Sequence, residues 1–79
     1  EEGLAACATL IPGVVSIYGW QGSVERQEEV QVILKTGALR VEGLLARAAE
    51  LHPYDVPELL VLPVVAGLPS YLAWVEAGG

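Results

Sequence analysis

Seventy-nine residues, 53% of them hydrophobic and 18% charged, suffice for one domain, and a chain this short buries only about 60% of its unfolded surface. The net charge of −6, with Arg26, Lys35, Arg40 and Arg47 as the only fixed cations, excludes the clustered Lys and Arg of a nucleic-acid binder. A single cysteine excludes an internal disulfide framework. With no apolar run near the ~20 residues of a membrane span and no signal-peptide pattern in "EEGLAAC", the expectation is a soluble, cytoplasmic chain.

Residues 4–20, "LAACATLIPGVVSIYGW", are rich in β-branched and aromatic types, with Pro12-Gly13 at their centre. A proline inside a strand run marks an edge or a bulge, so two strand halves joined by a kink are predicted. "GWQGS" at 19–23 reads as a turn, with Gly22 available for positive φ. Over 24–36 the residues alternate with period two. Val30, Val32 and Leu34 share one face with Arg26 and Glu28, while Glu25, Gln27, Glu29, Gln31 and Lys35 take the other. A half-buried strand follows, closing a long β-hairpin with its predecessor.

Thr36-Gly37 ends that strand and is placed to cap a helix. From 38 to 51, Val41, Leu44, Leu45, Ala48 and Leu51 recur at helical spacing, with Arg40, Glu42, Arg47 and Glu50 on the outer side. Pro53 stops this helix by His52, because proline disfavours the helical conformation in the residue before it and has no N–H to donate. "ELLVLPVV" at 58–65 reads as a well-buried strand, with Pro63 leaving part of one side without a ladder partner. Gly67 turns the chain, Pro69 suits a first helical turn, and "SYLAWVEA" makes a short C-terminal helix.

The order β-β-α-β-α brings the last strand into the sheet through a crossover, as an α+β layer with helices on one face. A βαββαβ unit would also need an opening strand and helix, roughly 18 residues plus a loop. The expectation is therefore one domain over 1–79, N-terminally incomplete, from a longer native protein.

These segments resemble a known family. "LAACATLIPGVVSIYGWQG" resembles the second-strand signature of the CutA divalent-cation-tolerance proteins, and "VILKT", "HPYDVPELLVLPV" and "YLAW" match its later blocks in the same order. The resemblance spans essentially the whole chain. It implies a ferredoxin-like βαββαβ subunit, here without its first strand and helix, in a homotrimer similar to the nitrogen-regulatory PII proteins. It also implies a role in divalent cation tolerance with weak binding of copper or similar ions. The alternative is a PII-like structural or signalling trimer that holds a small molecule or a partner protein in its intersubunit clefts. Such a trimer would give the large apolar fraction of this short chain a place to be covered.

Copper-binding members of the family carry two consecutive histidines before Pro-Tyr. Here the first position is Leu51 and only His52 carries over. A copper or zinc site needs three or four ligands, or three plus water, so two readings stand for His52: a cation contact, or a structural histidine serving the helix end. Cys7 reads as a small buried hydrophobe or a soft-metal ligand. Glu58, in the family's Pro-Glu block, is a candidate for a cleft site beside His52, as is Asp55; Tyr54 stands between them. Trp20 at the hairpin tip is read as an interface anchor, and Trp74, three residues after Tyr71, as packing on the sheet. No glycine-rich phosphate loop, G-x-S-x-G or H-E-x-x-H occurs, and no local signature supports a Cys7–His52 nucleophile and base, so no catalytic function is expected.

Overall fold

A computed structural model of the chain describes residues 3–54 and 56–79. It contains strands β1 (Cys7–Trp20) and β2 (Ser23–Lys35), a 3₁₀ turn (Ala38–Arg40), and helices α1 (Val41–Leu51) and α2 (Pro69–Glu76). No helix among the described residues is long and apolar enough to cross a membrane.

β1 and β2 form one antiparallel ladder running from Cys7 opposite Lys35 to Trp20 opposite Ser23. Gln21 (φ 50°) and Gly22 (φ 83°) close it as a two-residue loop. Positive φ at both positions matches the right-handed twist of the flanking strands, and the glycine accepts it without a Cβ clash. The register slips between Ile11 and Val14, so that Pro12 and Gly13 together stand opposite Val30. Proline has no N–H for the ladder, and Gly13 takes φ 74°, so the kink read from Pro12-Gly13 is a β-bulge.

The bulge resets the alternation of β1. By register, Leu10 shares the face of Val32, and beyond the bulge Val15 and Ile17 share it with Glu28 and Arg26. The opposite face carries Val14, Ser16 and Tyr18 against Glu29, Gln27 and Glu25. Below the ladder, the Ala6 amide donates to the Lys35 carbonyl at 2.8 Å. The Thr36 hydroxyl donates to the Leu4 carbonyl at 2.6 Å. That bond corrects the expected cap: Gly37 is the N-cap residue of the 3₁₀ turn and receives no side-chain cap bond, because the Thr36 hydroxyl is committed to the strand entry instead.

α1 ends where Pro53 requires. His52 is extended (φ −78°, ψ 138°), and its amide closes the last turn onto the Ala48 carbonyl. α2 starts with proline in its first turn. Its C-terminal end is held by Arg40, whose Nη1 donates to the Glu76 carbonyl at 2.9 Å, a cation placed on the free carbonyls of a helix end. The Lys35 ammonium lies 5.6 Å from the centre of the Tyr71 ring.

Two expectations fail. Residues 58–65 form no strand: Leu60, Leu62 and Val65 are 74%, 83% and 95% exposed, and no strand among the described residues borders them. A strand exists only as one side of a ladder, so apolar β-type residues without a neighbour stay irregular. β2 is likewise not half-buried, since Val30 and Val32 keep 58% and 50% of their surface exposed. No hydrophobic side chain among the described residues is fully buried. The chain exposes 6596 Å², against about 4,600 Å² for a compact monomer of this mass. Its radius of gyration is 15.0 Å, against about 12 Å for a compact domain.

Two outcomes follow. Gly13→Ala places a Cβ in open space but on a backbone at positive φ, so it lowers stability by about 1–2 kcal/mol, whereas Gly19→Ala, without positive φ, leaves it level or slightly raised; urea denaturation of both variants checks the contrast. Arg40→Ala releases the Glu76 carbonyl at a cost of about 1 kcal/mol, seen as faster amide exchange in the last turn of α2 with β1 and β2 unchanged.

Candidate functional site

The site region begins where α1 stops. Extended backbone at His52 followed by a bend at Pro53 and Tyr54 directs the chain away from the helix axis. The Tyr54 amide then donates to Nδ1 of His52 at 3.1 Å. The two rings lie 4.7 Å apart, tilted by 59°, a geometry near the edge-to-face arrangement that aromatic pairs favour. His52 is half-buried and Tyr54 exposed.

His52, Tyr54 and Glu58 line one cleft of about 2300 Å³, walled by the hairpin, α1, the irregular segment after Glu58, and α2. Cys7 is elsewhere. At the start of β1 it lines a separate cavity of about 480 Å³ with Leu4, Leu34, Leu44 and Leu51, an apolar setting for a thiol. Among the candidates, then, His52, Tyr54 and Glu58 share a space and Cys7 does not join them. Asp55 lies outside the described residues. Trp20 ends β1 beside the turn and is 62% exposed. Trp74 stacks on Tyr71 with centroids 5.7 Å apart and an interplanar angle of 29°.

Among the described residues no three His, Cys, Asp or Glu side chains gather into a group able to hold a metal ion. A closed shell for copper or zinc takes three or four such donors, and one nitrogen of the only imidazole is already a hydrogen-bond acceptor. The donors gathered among the described residues therefore do not by themselves fit a resident ion.

Sequence reasoning missed a polar row on the cleft side of the hairpin. The Ser16 hydroxyl donates to Glu29 Oε1 at 2.5 Å, and the Tyr18 hydroxyl to Gln27 Oε1 at 2.8 Å. Both are diagonal cross-strand pairs, Ser16 lying opposite Gln27 and Tyr18 opposite Glu25. The alternation of β2 had set Glu25, Gln27 and Glu29 on one face. Finding their partners required the register across the bulge.

Comparison with known proteins places this geometry in a lineage. Residues 1–78 match the family model described as CutA1 divalent ion tolerance protein. A relative from Escherichia coli, the divalent-cation tolerance protein CutA, is 54% identical over 76 residues, covering 96% of this chain and 68% of that protein. The crystal structure of CutA from Xylella fastidiosa superimposes with a TM-score of 0.93 at 45% identity, over 98% of this chain and 74% of that one. A PII-like protein CutA from Nostoc sp. PCC 7120, in apo form, gives 0.91 at 39% identity over 98% and 75%. Hairpin, helices and the unpaired apolar segment are thus those of an α+β, ferredoxin-like subunit, and the chain belongs to the CutA1 divalent ion tolerance family.

Proposed function

We propose that the protein serves divalent-cation tolerance as a subunit of a homotrimer, meeting copper or a similar divalent ion weakly and as a solute, not as a resident cofactor. The observation that carries the functional reading is the 54% identity over 96% of the chain to a protein named for divalent-cation tolerance. Weak contact follows from donor count: His52 and Glu58 lie along one cleft, the described residues gather no group of three donors, and one or two donors hold an ion loosely. Assembly accounts for the surface. The excess of about 2,000 Å² over a compact monomer, with Trp20, Leu60 and Val64 largely exposed, is of the size that stable interfaces cover.

The second reading, a PII-like trimer that holds a small molecule or partner protein between subunits, is favoured by one observation: the cleft is lined by the Ser16, Tyr18, Gln27 and Glu29 side chains as well as by apolar ones. Few polar groups set in an apolar wall are the usual composition of a ligand cleft.

Light scattering at micromolar concentration should give a mass near three times the 8.3 kDa of one chain; a monomeric mass ends the trimer reading. Equilibrium dialysis against copper(II) and zinc(II) separates the two functions. Weak retention by the protein that falls in His52→Ala or Glu58→Gln supports cation contact at the cleft. Equal retention in all three shifts the balance to the intersubunit ligand.

A further inference from the structure

We infer that α2 is a strap across one end of the large cleft, tied down by cations at its C-terminal end and released as ionic strength rises. The tie shows in how the last carbonyls of the helix find partners. The Ala77 amide donates to the Ala73 carbonyl at 3.0 Å, Gly78 to Val75 at 3.0 Å and Gly79 to Trp74 at 2.9 Å. The closing turn of α2 thus serves three of its final four carbonyls from within. The fourth, on Glu76, accepts from Arg40 Nη1 at 2.9 Å, a donor 36 residues away in sequence. That bond ties the helix end to the entry of α1.

The seat for this end is built at the base of the hairpin. Gly37 is buried, and a Cβ on it would stand 2.8 Å from Oε2 of Glu76, so the glutamate side chain covers it. A Cβ on Gly79 would stand 2.8 Å from the Ala6 carbonyl oxygen, just before β1. The Lys35 ammonium lies 5.6 Å from the centre of the Tyr71 ring. Two of the four fixed cations in the chain therefore face α2. Apolar packing adds little, since no side chain of α2 is buried and Leu68, Tyr71 and Trp74 are exposed. Screening by salt weakens exposed charge contacts and not apolar packing, so the hold on α2 falls as salt rises. Tyr71, Leu72 and Val75 line the cleft, as do Lys35 and Ala38, and lifting α2 opens that end. The strap depends on neither functional reading; its use as a gate rests on the cleft being a ligand site.

A helix of eight residues does not hold alone in water, so release of the strap registers as amide exchange. Sodium chloride is raised from about 0.01 to about 1 M, a span over which the screening length falls from ~30 to ~3 Å. In the wild-type chain, exchange of the Ala77 amide should quicken about 2- to 5-fold, the range for a cation at a helix end, while the amides of β1 and β2 keep their rates. Arg40→Ala should exchange about 5-fold faster than wild type at low salt, the fold-change of one lost hydrogen bond, and respond little to added salt. Arg40→Lys keeps the charge and should keep the salt response. A wild-type rate that ignores salt, an Arg40→Ala chain as responsive as wild type, or hairpin amides that quicken in step with Ala77 each overturn the strap. If Arg40→Ala fails to fold, the salt series on wild type and Arg40→Lys still decides. A neutral gadolinium chelate, added without any ligand, tests the gate separately. Its relaxation of the Gly37 amide should grow over the same salt range. Quickened Ala77 exchange beside a Gly37 that stays shielded overturns the gate.

Discussion

Everything this chain presents to its surroundings depends on one ladder, β1 against β2, and on the single extra residue that Pro12-Gly13 inserts into it. Period-two alternation carried without interruption along β1 would put Ser16 and Tyr18 on the face of Leu10, among the valines of β2. Two residues opposite Val30 shift the count by one, sending Val15 and Ile17 to the apolar face and Ser16 and Tyr18 to the face of Glu25, Gln27 and Glu29. Both residue types at the bulge are needed for their own reasons. Proline gives up a ladder N–H that the bulge leaves unpaired, and glycine takes φ 74° without a side-chain clash. The polar row that results, Ser16 to Glu29 and Tyr18 to Gln27, supplies the cleft with its fixed hydrogen-bonding groups.

A second constraint is what the ladder fails to cover. A two-stranded hairpin has no interior, and two helices of eleven and eight residues do not close over it. Apolar residues that the pattern sorts correctly by face therefore remain exposed, as Val30, Val32 and Ile17 do. The sorting is local and follows from the backbone period. Burial is collective and depends on what else is packed there. Small domains reach stability by adding area from outside their own core, and here the demand is concentrated along the cleft and at Trp20.

The same distinction explains how much was legible from residues alone. The helix stop at Pro53, the kink at Pro12-Gly13 and the turn at Gly22 are governed by one or two residues and their allowed dihedrals, so they could be read directly. The strand predicted over 58–65 could not be settled that way, because β-branched composition states only that a ladder would be favourable if a neighbour stood beside it. Thr36 shows the limit at a smaller scale. Its type suits a helix cap, yet the Leu4 carbonyl, distant in sequence, claims its hydroxyl. At the site, Cys7 and His52 are equally plausible soft donors by type. Only three dimensions reveal that one lines a cavity with Leu4 and Leu51 while the other lines the cleft.

Position 51 then takes on a physical meaning. Leu51, standing just before His52, lines the cavity of Cys7 and completes its apolar wall. At 66% exposed, Leu51 forms a rim of that cavity open to solvent, outside the cleft that His52 lines. His52, one residue on, has turned out of the helix because Pro53 holds it extended, and its ring meets the Tyr54 amide in place of a hydrophobic wall. A single proline thus separates two neighbouring positions into two chemical environments. Leucine lines the rim of the Cys7 cavity, and histidine supplies the acceptor that the Tyr54 amide meets on the bent backbone.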